Sequence, residues 1–198
     1  MDYEIKVLSL KRRTDRREFI IKQIDGKYPF TFFDAIDGKE LVVTTEIENY
    51  FKDSDYHLWN VDVRCVMSVF LSNMELWKES ISENKNLCIF EDDTNIDPIE
   101  IDEINNLFKN DFDIYILVKR WIPNCYSYLI KPEGAKKLLN HFTNTSITQS
   151  LDWELAKLDG NNLFKVLWSD RDKFSKSCDS VISKSDIISD GEIYVKIG

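Results

Sequence analysis

Apolar positions along the chain switch between strand-like runs and helical spacing, and the switches mark the elements. Ile5-Lys-Val-Leu-Ser-Leu10 predicts a first strand, the polar stretch 11–14 a turn, and Phe19, Ile20 and Ile24 a helix over 15–24. Asp15 and Glu18 have the spacing of a capping box at its start. Tyr28 to Phe33 reads as a second strand ending in Asp34-Ala-Ile-Asp-Gly38, where Asp-Gly signals a turn. Thr45 and Glu48 are a second capping pair, opening a short helix to residue 52. From 61 to 82, Val63, Val66, Phe70, Met74, Trp77 and Ile81 form one apolar stripe, the core face of a long helix.

The second half repeats the alternation. A strand over 87–90 precedes a helix through Ile101, Ile104, Leu107 and Phe108, and strands follow over 112–118 and 126–130. Pro132 opens a helix whose buried face is Ala135, Leu138, Leu139 and Phe142. A polar loop over 143–150, a short helix over 151–158 and a strand over 163–168 complete the pattern. Residues 170–190, rich in Ser, Asp and Lys, lack periodicity and read as a loop or arm. Strand alternating with helix predicts an α/β fold with a mostly parallel sheet flanked by helices. One domain over 1–170 carries it, and a C-terminal tail over 171–198 packs on the same domain.

Composition narrows the function. At 198 residues and 43% hydrophobic, the chain holds one core without needing a second domain. A net charge of -9 argues against a nucleic-acid partner, which needs a basic face. The charged N-terminus and the lack of any long apolar run leave no signal core and no transmembrane segment, so the expected compartment is cytoplasmic. Cys65, Cys88, Cys125 and Cys178 are far apart with no CxxC, which predicts reduced, mostly buried thiols.

The candidate chemistry centres on Glu91-Asp92-Asp93, directly after an apolar strand. Alternation along an extended chain puts Glu91 and Asp93 on one side and Asp92 on the other. Two such carboxylates suit Mn2+ or Mg2+, and a metal there offsets charge on a departing diphosphate. A solvated acidic turn, a helix N-cap or a metal-dependent phosphohydrolase shows the same tripeptide. Arg12, Arg13, Arg16 and Arg17 crowd the start of a helix, where cations are slightly unfavourable; they are either plain surface charge or face an anion nearby. Nucleotide phosphates or the carboxylates of Asp34 and Asp37 both answer. Six glycines form neither GxGxxG nor GxxxxGK, which disfavours dinucleotide enzymes and P-loop ATPases. Asp152 and Glu154 near a helix start are either N-capping groups or a general base. His57 and His141 lack a serine or cysteine setting for a hydrolase triad.

Taken in order, these pieces resemble glycosyltransferase family 25, which includes lipopolysaccharide sugar transferases and collagen galactosyltransferases. The similar segments are Val7-Leu-Ser-Leu-Lys-Arg-Arg-Thr-Asp-Arg-Arg17, Phe33-Asp-Ala-Ile-Asp-Gly-Lys39, Ser68-Val-Phe-Leu-Ser-Asn-Met-Glu-Leu-Trp77, Ile89-Phe-Glu-Asp-Asp93, Tyr126-Ser-Tyr-Leu-Ile130 with Gly134-Ala-Lys-Lys-Leu-Leu139, and Leu151-Asp152. The resemblance implies a GT-A-like, Rossmann-related fold. It also implies an inverting hexosyltransferase that moves galactose or glucose from a UDP-sugar to a hydroxyl of a glycan or glycosylated protein, with Mn2+ or Mg2+. It assigns Glu91 and Asp93 to the metal and Asp92 to their support. Leu10, Arg13, Arg16, Asp34, Ala35 and Asp37 fall near the nucleotide, and Asp152 is the base with Glu154 in reserve. Asn73 stands where the family has a histidine, and it cannot act as an acid or base near neutral pH. A catalytically impaired sugar-nucleotide or glycan binder of the same fold is therefore the alternative.

Overall fold

The computed structural model describes residues 2–54, 62–96, 98–119, 125–170 and 174–176, with the backbone alone at 98–100. The expected alternation is present. In chain order the elements are β1 (Tyr3–Ser9), α1 (Thr14–Ile24), β2 (Phe30–Asp34), α2 (Thr45–Phe51), α3 (Val63–Glu83), β3 (Asn86–Glu91), β4 (Thr94–Asn95), α4 (Pro98–Leu107), β5 (Ile114–Lys119), β6 (Ser127–Ile130), α5 (Pro132–Asn144), α6 (Leu151–Leu158), β7 (Val166–Ser169) and β8 (Ser175–Lys176).

Six strands form one sheet in the order β2-β1-β3-β6-β5-β7, and β4 and β8 form a separate pair. Strands β2, β1 and β3 run parallel, β6 is reversed against both its neighbours, and β7 is parallel to β5. The sheet is thus mixed and mostly parallel, as expected. Its central strands are covered on both faces: Leu87 to Phe90 of β3 and all of β6 are buried, which is why both read as continuous apolar runs.

Helix α3 packs on α5 through aromatic side chains. Phe70 meets Phe142 edge-on at 4.9 Å between ring centres, and Trp77 stacks on Phe142 at 6.0 Å. Asp62 caps α3 by accepting from the Arg64 N–H at 3.0 Å, and Asn84, in the left-handed region at φ 52°, ends it. Pro132 sits in the first turn of α5, where its missing N–H costs nothing.

Local details differ from the sequence reading. Arg13 occupies the N-cap of α1, so Asp15 lies inside the first turn and pairs with the Arg13 guanidinium at 2.8 Å instead of capping. Thr44, not Thr45, caps α2. β7 begins at Val166, leaving Leu163 exposed in the preceding loop. The larger surprise is β8, in a tail whose composition gave no strand signal: Phe174 is buried against Phe90 at 4.9 Å, and its carbonyl accepts from the Tyr126 hydroxyl at 2.7 Å. Of the expected tail only 174–176 are described; the rest of 171–198, like His57, lies outside the described residues.

Candidate active site

The chain runs from β1 out to β2 on one side and returns to β3 on the other, so the strand order reverses between β1 and β3. Parallel strands diverge at such a point and leave a crevice at their C-terminal ends, the usual ligand site of open α/β sheets. Here it is a cleft open to solvent, bounded by the ends of β1 and β3, the loop after β2, and α3.

One wall is largely apolar, made by Leu8 and Leu10 at the end of β1, Ala35 and Ile36 after β2, and Cys65 and Val69 of α3. Hydrogen bonds hold this wall together. The Ala35 N–H donates to the Ser9 carbonyl at 3.0 Å, and the Ile36 N–H donates to the Ser72 hydroxyl at 2.9 Å. Gly38 lets the loop lie flat on α3, since a Cβ there would fall 2.5 Å from the Cys65 Cα.

The opposite wall is charged. The chain leaves β3 at Glu91 and turns at once, so strand alternation no longer applies and Glu91, Asp92 and Asp93 all line the cleft. This corrects the expected placement of Asp92 on the far side. Arg16 of α1 donates to Asp92 Oδ1 at 2.6 Å and lies 3.4 Å from Asp93 Oδ2. Lys176 of β8 approaches from elsewhere, 2.8 Å from Glu91 Oε2 and 3.6 Å from Asp93 Oδ1. Burial raises the carboxyl pKa of Asp92 despite Arg16, and raises that of Asp93 with help from Glu91. Burial alone would lower the Lys176 pKa, but Glu91 and Asp93 outweigh it and hold the ammonium above the ordinary lysine range.

The arginines divide as the sequence left open. All four find protein carboxylates: Arg12 with Asp37, Arg13 with Asp15, Arg16 with Asp92, and Arg17 with Asp34. Arg12 and Arg16 line the cleft, whereas Arg13 and Asp34, both expected near the nucleotide, do not. Leu10, Ala35 and Asp37 line it as well. Asn73 does not: it is buried, donates to the Val69 carbonyl at 2.9 Å and accepts from the Tyr128 hydroxyl at 2.6 Å. Trp77 Nε1 donates to the same hydroxyl at 3.1 Å, so Asn73 belongs to a core network and its neighbour Ser72 faces the cleft.

Asp152 is half-buried and lies outside the cleft lining, within electrostatic reach of Glu91 and Lys176. Burial first, and then the charge of Glu91, hold its carboxyl above the usual range, the direction that suits a base. Glu154 is committed elsewhere: its Oε1 accepts from the Thr148 and Gln149 N–H groups at 2.9 and 2.8 Å and pairs with Lys157 at 2.9 Å. It pins the loop before α6 and is corrected from reserve base to structural acceptor. His141 packs edge-on to Phe142 and Phe164, outside the cleft lining.

Glu91 and Asp93 are the carboxylates that converge on one point, the place held by Lys176. Their oxygens suit a hard divalent cation, and Asp93 Oδ1 is buried without a hydrogen bond. Three acidic groups of the described residues come closer together, Glu4, Glu79 and Glu83, but Lys6 and Lys85 neutralise them at the opposite end of β1 and β3.

The reversal-point cleft of a mixed α/β sheet, with apolar and ionic walls, marks a small-molecule enzyme of the open-sheet class. Residues 3–120 match the model of glycosyltransferase family 25 (LPS biosynthesis protein), and the chain belongs to that family: it is a glycosyltransferase. The matched segment includes both walls of the cleft up to Asp93 and ends before Asp152 and Lys176. No curated protein matches the chain. Among solved structures it is similar to a glycosyltransferase involved in the glycosylation of the major capsid of PBCV-1, with 11% identity over 89% of this chain and 96% of that one and a TM-score of 0.46. None of the described helices is long and apolar enough to cross a membrane.

Proposed function

We propose that the chain is an inverting, metal-dependent hexosyltransferase of GT-A type that moves galactose or glucose from a UDP-sugar to a hydroxyl of a glycan or glycosylated protein. The observation that carries this reading is the pairing of two unlike walls in one cleft. The apolar wall suits a nucleoside, and the ionic wall beside it suits a diphosphate.

Charge supports the metal. Arg12, Arg16 and Lys176 face four cleft carboxylates, Asp37, Glu91, Asp92 and Asp93, so the lining is net acidic before a diphosphate adds its own negative charge. A divalent ion on Glu91 and Asp93 would offset the charge developing on the departing diphosphate. The protein's own residues do the rest. Arg16 holds Asp92 and Asp93 in place, and Arg12 presents a guanidinium to the phosphates. Asp152 accepts the proton of the acceptor hydroxyl as that oxygen bonds to the anomeric carbon. The bond from this carbon to the diphosphate oxygen breaks, and UDP leaves with the electron pair on the opposite face, inverting the centre.

Asn73 lies in the core outside the cleft lining, which supports the catalytic reading over the impaired binder. The buried thiols of Cys65, Cys88 and Cys125 suit a reducing compartment, proposed here as the cytoplasm. The test is Asp93→Ala: both the Mn2+-dependent thermal shift with UDP-sugars and acceptor-dependent UDP release should disappear. Retention of both would overturn the reading. Hydrolysis of phosphate esters without a sugar acceptor would replace it with the phosphohydrolase.

A further inference from the structure

Among the described residues, Lys176 is the one cation that the C-terminal segment brings to the cleft, and its position is built rather than incidental. Phe174 is sunk into the core beside Phe90 and tied by the Tyr126 hydroxyl. Two residues on, β8 pairs with β4 immediately after the acidic turn, with Thr94 opposite Lys176. The Asn95 side-chain amide donates to the Lys176 carbonyl at 3.2 Å and to the Ser175 hydroxyl at 3.1 Å. The backbone is thus held on both sides while the long side chain reaches back to Glu91 and Asp93.

The two contacts are unequal. Glu91 Oε2 is at hydrogen-bond distance, 2.8 Å, whereas Asp93 Oδ1 is 3.6 Å away and, although buried, has no hydrogen bond. A divalent ion bound to both carboxylates needs oxygens at about 2.0–2.6 Å, and an ammonium at the same point excludes it. The arrangement leaves Asp93 Oδ1 short of a full partner, while Arg16 lies beside Oδ2 and Glu91 is occupied.

Building on the donor-site reading above, we propose that Lys176 is an internal competitor for the divalent cation. Its ammonium holds Glu91 and Asp93 while no nucleotide is present, so free metal binds weakly. When a diphosphate enters, its oxygens offer the flexible ammonium a second anionic partner, and the carboxylates become available. Metal and nucleotide therefore bind with positive coupling, and by linkage each tightens the other by the same factor.

The test is calorimetric titration of Mn2+ into the full chain, with and without saturating UDP, for native protein and Lys176→Met, which keeps the length of the side chain. The expected result is a gain in nucleotide-free Mn2+ affinity on the order of tenfold in the variant, an ordinary size for coupling between sites, and a much smaller gain with UDP. Lys176→Arg should keep weak nucleotide-free binding. Lys176→Gln gives the same readout as Met should that variant fail to fold. Equal nucleotide-free Mn2+ affinity in native, Met and Gln forms overturns the inference while UDP binding upholds the donor site. Loss of UDP binding in the native protein overturns both.

Discussion

The Arg16 guanidinium donates to the Asp92 carboxylate at 2.6 Å across 76 positions of sequence, and both side chains are buried. This pair joins α1 to the end of β3 and forms the floor of the cleft. Removing one member of a buried pair leaves the other charge uncompensated, at a cost of about 3–5 kcal/mol. Arg16→Met should lower unfolding stability by that order in urea titrations, and Arg16→Met with Asp92→Asn should recover part of the loss.

Asp152→Asn keeps the shape of the side chain but removes the proposed base. Loss of general-base catalysis typically costs about 10²–10⁴-fold, so kcat should fall by that order while UDP-sugar binding by thermal shift persists. The pH profile tests the same residue. Because burial and Glu91 raise the Asp152 carboxyl pKa, the base is protonated at pH values where an ordinary aspartate is still ionised. The acidic limb of kcat/KM should therefore lie above the usual aspartate value of about 3.9, with activity rising as pH rises through it. That limb should vanish in the residual activity of the variant.

Tyr128→Phe separates the Asn73 network from the cleft. It removes the acceptor of Trp77 Nε1 and the donor to Asn73 Oδ1 together. Leaving such buried groups unsatisfied costs about 1–3 kcal/mol each. The melting temperature should drop with little change in the KM for donor. A large rise in KM with unchanged stability would place Asn73 in ligand binding after all.

Two glycines should respond differently to alanine. At Gly134 a Cβ would meet the Asp113 carbonyl oxygen at 1.9 Å, a clash of α5 with the start of β5 in the core. Overpacking of this kind costs about 1–3 kcal/mol or more, and Gly134→Ala should show it as lost stability in urea. At Gly38 the clash is with Cys65 across the apolar wall, so Gly38→Ala should lift the 35–38 loop and chiefly raise the donor KM.

Most of the scaffold was legible because the signals are local. The α3 stripe, the apolar runs of β3 and β6, and the limits of α6 follow from periodicity and burial of neighbouring side chains. The acidic turn and Arg16 were legible as chemistry, since carboxylates after an apolar strand and arginines at a helix start are both locally unfavourable. Arg12 and Arg13 show where this stops: adjacent residues of one type, of which only the first lines the cleft. Asn73 and Ser72 make the same point on α3, where one helical step of about 100° separates core from cleft.

By itself the sequence determined the order and type of the six main strands and the helices, the mostly parallel α/β class, the family and the acidic end of β3, because each leaves a signal among neighbouring residues; β4 and β8 left none. Only the tertiary structure decided that Asp92 turns toward the cleft, that Glu154 serves a loop, and that Lys176 reaches Glu91 over 85 positions of sequence. Those outcomes depend on which distant backbone a segment pairs with. The tail carries no periodic signal of that pairing; the place of Phe174 is set by Phe90 and Tyr126, and that of β8 by β4, all distant in sequence.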